Sequence, residues 1–141
     1  MEIRVLFVED SDEAAETLIA ALAAHDSRDT FEIVRVAKLK HALRELRSRM
    51  PDAALIDLGL PDSEGLHAPQ ALSAAAPDLP IVVWTGHNSE KDALALIQGG
   101  IQDYLIKGDA SIRRVCQSVL FAIKRKQHER RSKRKAAEVD R

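Results

Sequence analysis

Five polar side chains in this sequence follow directly on short apolar runs. Glu9 and Asp10 follow Ile3–Val8, Asp57 follows Ala53–Ile56, Thr85 closes Ile81–Trp84, and Lys107 closes Tyr104–Ile106. Short apolar runs bounded by turn residues read as buried strands of a parallel sheet. Residues at the carboxyl ends of such strands sit where open α/β sheets bind ligands. Two acids, a lone aspartate, a hydroxyl and an amine therefore converge at one sheet edge. That set suits a magnesium-dependent phosphoryl acceptor. Asp57 would be the nucleophile, forming an acyl phosphate, and its attack brings anion towards anion, so a divalent cation must screen it. Magnesium takes about six oxygens and favours carboxylates and waters; Glu9, Asp10 and Asp57 supply such oxygens. Lys107 and the Thr85 hydroxyl are suitable donors to the phosphoryl oxygens.

Taken singly, each residue has a plainer reading. Asp57 alone is a strand-ending turn cap, Glu9-Asp10 a charge pair at a helix start, Thr85 a β-branched strand residue and Lys107 a surface lysine. Their joint placement favours the chemistry. The histidines at 25, 41, 67, 87 and 128 show no metal-ligand spacing and read as surface or packing residues. A Gly-rich phosphate loop is missing as well, which argues against nucleotide binding of the Walker or Rossmann kind.

The elements that must position these groups alternate regularly. After the strand at Ile3–Val8, Ser11 or Asp12 caps an Ala-rich helix over residues 13–24. Phe31–Val36 is a second strand, followed by a helix around Leu39–Arg49 with Leu39, Leu43, Leu46 and Met50 on one face and Pro51 as its stop. After the central strand, residues 65–76 form a helix that tolerates Pro69 only in its first turn. Ser89 opens a fourth helix, with Asp92 in the position of a capping-box acid, and Gly99-Gly100 ends it. Asp103–Lys107 is the fifth strand, and Ser111 caps the last helix. Five strands alternating with five helices predict a doubly wound parallel sheet.

Composition agrees with one domain. At 141 residues and 45% apolar content the chain can bury one core. Its apolar runs are too short for a membrane span, and Met1-Glu2-Ile3-Arg4 enters a strand directly, unlike a signal peptide. A lone cysteine, Cys116, excludes an internal disulfide framework; it fits a cytoplasmic location and reads as a core thiol.

The motifs Phe7-Val8-Glu9-Asp10, Leu55-Ile56-Asp57-Leu58-Gly59-Leu60-Pro61-Asp62-Ser63-Glu64-Gly65, Val83-Trp84-Thr85-Gly86 and Asp103-Tyr104-Leu105-Ile106-Lys107 resemble, in order, those of receiver domains of bacterial two-component response regulators, over residues 1–124. The resemblance implies a flavodoxin-like sheet of order 2-1-3-4-5 with helices on both faces. It implies that Asp57 is the phosphoacceptor, that Glu9, Asp10, Asp57 and the Gly59 carbonyl hold Mg2+, and that Thr85 and Lys107 contact the phosphoryl group. Tyr104 falls at the family's switch aromatic, which responds to Thr85 and biases the face made by the fourth helix, fifth strand and fifth helix. The implied donor is a histidine kinase or phosphotransfer protein, and that switching face or the C-terminal helix would meet an output domain or dimer partner. One departure stands out: the family usually has Pro after the lysine, and here Gly108 follows. Gly59 and His87 occupy positions that tune phosphate lifetime in the family.

The last helix carries an apolar stripe of Ile112, Val115, Cys116, Val119, Leu120 and Ile123, which turns polar at Lys126, Gln127, Arg130 and Arg134. Packing should stop near Ile123, leaving residues 125–141 as a basic helical extension, linker or frayed tail. Residues 124–135 carry net +7, residues 136–141 net −1, and residues 1–123 therefore −7. A solvated charge run is the simplest account of the tail; a linker to an output module and non-specific contact with nucleic acid or anionic membrane are others. Without interleaved aromatics or a helix-turn-helix, specific DNA reading is not expected.

Two rivals remain at the sequence level. An aspartate-nucleophile phosphohydrolase uses the same groups but wants a second acid two residues after the nucleophile, where this chain has Gly59, and room for a substrate cap. A phosphorylation-independent interaction module is the other.

Overall fold

The computed structural model describes residues 2–24 and 29–139. Met1 and His25, both named in the sequence reading, and the end of the basic tail at 140–141 lie outside that set. The elements run β1 (Glu2–Val8), α1 (Asp12–Ala23), β2 (Thr30–Val36), α2 (Leu39–Ser48), β3 (Ala53–Ile56), α3 (His67–Ala75), β4 (Ile81–Thr85), α4 (Glu90–Gln98), β5 (Asp103–Ile106) and α5 (Ile112–Val139). All strand pairs are parallel, in the order β2-β1-β3-β4-β5. The predicted doubly wound sheet is present.

Alternation along each strand divides the core in two. Leu6, Val8, Ala54, Ile56, Ile81 and Val83 pack against α2, α3 and α4 through Leu39, Leu46, Leu72 and Leu96. Val5, Phe7, Leu55, Val82 and Trp84 point the other way, against α1 and α5 through Leu18, Leu22, Val115 and Val119. The β3 segment is wholly buried, as expected of a central parallel strand covered on both faces. Cys116 is a buried free thiol in the second cluster, and burial raises its pKa.

Caps set the element starts. Ser11 accepts from the Ala14 amide at 3.3 Å, Ser89 from Asp92 at 3.2 Å and Ser111 from Arg114 at 3.1 Å. Pro69 sits in the first turn of α3, where its missing N–H costs nothing. Met50 departs from expectation. The α2 helix ends at Ser48 and Arg49 is extended (φ −155, ψ 117), so Met50 leaves the packing face and is 55% exposed. Lys107 likewise lies one residue beyond β5, in an isolated bridge with Ala110.

The α5 helix runs unbroken past Ile123, the last residue of its buried stripe, and residues 128–137 are exposed. Among the described residues, none of the helices is long and apolar enough to cross a membrane.

Candidate functional site

Parallel pairing in register brings the carboxyl ends of β1, β3, β4 and β5 to one edge. Between them these four strands deliver the five groups read from the sequence. Glu9 and Asp10 follow β1, Asp57 follows β3, Thr85 is the last residue of β4, and Lys107 follows β5. Glu9 is fully buried, while Asp57 and Thr85 are nearly so.

Lysine 107 is the hub. Its Nζ lies 2.8 Å from Asp57 Oδ2 and 2.6 Å from Glu9 Oε1, and it stands 5.2 Å from the centroid of the Trp84 ring. Asp57 Oδ1 accepts the Gly59 N–H at 3.3 Å. Asp57, Gly59, Thr85 and His87 line an open cleft of about 400 Å³. The Asp57 carboxylate is therefore reachable from that cleft, although its own surface is small.

Electrostatics separate the acids. Burial alone would raise the Asp57 pKa, but hydrogen bonds from Lys107 and Thr85, the Lys107 charge and the Gly59 N–H together lower it. For Glu9, burial dominates and raises the pKa despite hydrogen bonds from Lys107 and the Ser11 amide. Burial would lower the pKa of Lys107, yet its bonds to Asp57 and Glu9 raise it. The net effect favours the ionised form of Asp57.

Glu9, Asp10 and Asp57 each offer an oxygen, and these oxygens lie within 4.8 Å of one another. Three carboxylates against one ammonium leave an excess negative charge, and the donors are all oxygens. The set fits a hard divalent cation. The sequence reading expects the Gly59 carbonyl at this group; the contact seen is its N–H, which donates to Asp57 Oδ1.

Tyr104 is also near, but it reaches the site through an intermediary. Its hydroxyl donates to the His87 carbonyl at 2.6 Å, and the His87 N–H donates to Thr85 Oγ1 at 3.3 Å. Burial and the nearby Asp92 and Asp57 charges raise the Tyr104 pKa. The His87 ring pairs with Asp92 on α4 at 2.7 Å, so Asp92 serves the loop instead of closing a capping box.

Several supporting residues were not singled out from the sequence. Arg35 on β2 donates to the Glu9 carbonyl at 2.9 Å and pairs with Asp12 at 2.8 Å, fixing the acidic loop. Asp62 accepts the Leu39 and Lys40 amides at 2.8 and 3.0 Å, capping α2, whose own N-cap residue Lys38 makes no side-chain cap. Trp84 is a core aromatic, packed on Phe7 with ring centroids 6.2 Å apart, and it also underlies Lys107. Gly108 has φ +93 and Gly65 φ +56, conformations that favour glycine at the turns behind Lys107 and Asp57.

Known proteins resemble this chain in sequence and fold. The family described as response regulator receiver domain matches residues 5–119. Transcriptional regulatory protein CreB of Escherichia coli (strain K12) is 31% identical over 121 residues, which is 86% of this chain and 51% of CreB. Regulatory protein LuxO of Vibrio vulnificus (strain YJ016) is 41% identical over 68 residues, or 48% of this chain and 15% of LuxO. The chain thus spans about half of CreB and a small part of LuxO. A solved signal receiver domain of a LuxO repressor protein from Vibrio parahaemolyticus superposes with a TM-score of 0.80 at 26% identity, covering 92% of this chain and 95% of that one.

Proposed function

We propose, from the premise that this chain belongs to the response regulator receiver domain family, that Asp57 accepts a phosphoryl group from the phosphohistidine of a histidine kinase or phosphotransfer protein in the cytoplasm. An Asp57 carboxylate oxygen attacks phosphorus, a P–O bond forms as the P–N bond breaks, and the imidazole leaves with a proton taken up from solvent. The reading rests on one observation: Lys107 Nζ lies between Asp57 Oδ2 at 2.8 Å and Glu9 Oε1 at 2.6 Å, at the carboxyl ends of a parallel sheet. Lys107 holds Asp57 ionised and presents an ammonium where the phosphoryl charge arrives. The Thr85 hydroxyl is a second donor. Glu9, Asp10 and Asp57, with the Gly59 carbonyl, would hold Mg2+, which when bound screens the approach of the two anions.

The acyl phosphate adds a charge of about −1.5 to −2. Drawing Thr85 and Lys107 towards that charge releases their present bonds and, through His87, loads Tyr104. The α4–β5–α5 face would then carry the signal to a partner or output domain. Hydrolytic turnover is not part of this reading, since the position two after Asp57 is Gly59, which has no acid to activate water.

The test is intact mass after incubation with magnesium and a small acyl phosphate, for wild type and Asp57→Ala. A single phosphoryl gain in wild type alone supports the assignment. Equal gain in both proteins refutes it. No gain in either, with no response to beryllofluoride, would favour a phosphorylation-independent interaction module.

A further inference from the structure

We propose that the α5 extension, residues 124–135, is a sequence-independent binding helix for duplex DNA, separate from the acceptor site. The stretch carries eight Lys/Arg and one acid. As helix it spans about 18 Å at ~1.5 Å per residue, or roughly one cation per 2 Å. Duplex DNA carries one negative charge per ~1.7 Å of axis. The two charge densities match.

Helical geometry then narrows the ligand. With ~3.6 residues per turn, Arg131 and Lys135 stand on the side opposite Lys126 and Lys133. Lys126 and Lys133 border a cleft with Asp78, and Arg130 donates to the Asp78 carbonyl at 3.2 Å. Cations therefore ring the helix. A flat membrane or one acidic protein face would meet a single side. A membrane helix also needs an apolar face, and residues 124–137 have only Ala136 and Ala137 as apolar side chains. The DNA major groove is about 12 Å wide and bears phosphates on both walls, and a helix with its side chains is ~10–12 Å across. The deep, narrow major groove of A-form RNA would exclude it.

The helix also carries an electrostatic cost that such a ligand would offset. Lys126–Arg130, Arg130–Arg134 and Arg131–Lys135 are like-charge pairs four apart, which destabilise a helix. Among the described residues, the ion pair on this stretch is Lys126–Glu129 at 3.6 Å. The acidic body, net −7 over residues 1–123, would hold the duplex off the domain and confine it to the extension.

The full chain is titrated against a fluorescein-labelled, mixed-sequence duplex of about 30 bp by anisotropy, between 50 and 200 mM salt. The plot of log K against log salt should slope at about −4 or steeper, because each phosphate contact contributes about −0.9. An Arg131→Gln/Arg134→Gln/Lys135→Gln variant with unchanged thermal unfolding should bind at least tenfold more weakly at 50 mM salt, with a slope shallower by about 3. A wild-type slope shallower than −1, equal binding by the variant, or tighter binding to phosphatidylserine vesicles than to duplex would each overturn the proposal.

Discussion

Thr85 and Tyr104 hold the same residue from two sides. The His87 N–H donates to Thr85 Oγ1 at 3.3 Å, and the His87 carbonyl accepts the Tyr104 hydroxyl at 2.6 Å. Any movement of Thr85 must therefore pull on the residue that anchors Tyr104. Because the His87 ring pairs with Asp92, the same movement reaches the first turn of α4.

Tyr104→Phe isolates this link. It removes one hydrogen bond while leaving Asp57, Thr85 and Lys107 untouched. The expected loss is about 1 kcal/mol in urea unfolding, with faster amide exchange in the loop before α4 and unchanged phosphoryl uptake by mass. Unchanged exchange there would mean that the Tyr104 hydroxyl does not restrain the loop.

Lys107→Met probes the hub. Lys107 Nζ engages Glu9 Oε1 and Asp57 Oδ2, oxygens of the candidate cation site. Removing that competing charge should tighten magnesium binding in calorimetry by at least about fivefold, ~1 kcal/mol, while slowing phosphoryl uptake. Weaker magnesium binding would place the lysine outside the competition.

The same variant fixes the sign of the pH dependence without metal. Asp57 is lowered from 3.8, so its contribution is present above 3.8 and lost as pH falls through the lower folded value. Lys107 is raised from 10.5, so its contribution is complete below 10.5 and lost as pH rises through the higher folded value. Wild type should thus exceed Lys107→Met in stability at neutral pH, and the part of that margin due to Asp57 and Lys107 should shrink at both extremes. Denaturant midpoints against pH give the comparison; a margin that grows above 10.5 contradicts the sign.

Asp62→Ala tests the cap that the loop after β3 lends to α2. Two helix amides lose their acceptor, which should lower Tm by a few degrees and leave phosphoryl uptake intact. An unchanged Tm would show that water replaces the carboxylate without loss.

The cluster of Glu9, Asp10, Asp57, Thr85 and Lys107 was legible because its members directly follow or close strands, and parallel pairing then does the assembly. The strand runs themselves were legible because β3 and β4 are buried on both faces and so are continuously apolar. The Asp62 cap was not legible. It joins residues 22 and 23 apart in sequence, and no local pattern marks Asp62 as the partner of a helix opening at Lys38. Arg35 was hidden for a similar reason, since its partners Glu9 and Asp12 meet it only once β2 pairs with β1. Met50 failed in the other direction: it keeps helical spacing, but the backbone has already turned extended at Arg49, ahead of Pro51.

The tryptophan beneath the lysine has a practical side. Trp84 is the single tryptophan in the chain, buried, with an ammonium 5.2 Å from its ring centre. Its emission is therefore a built-in optical gauge of where the Lys107 charge sits. Titrations of metal, phosphoryl donor or duplex can be followed on unlabelled protein, and a change in emission will separate ligands that reach the sheet edge from those that stay on the distant helix.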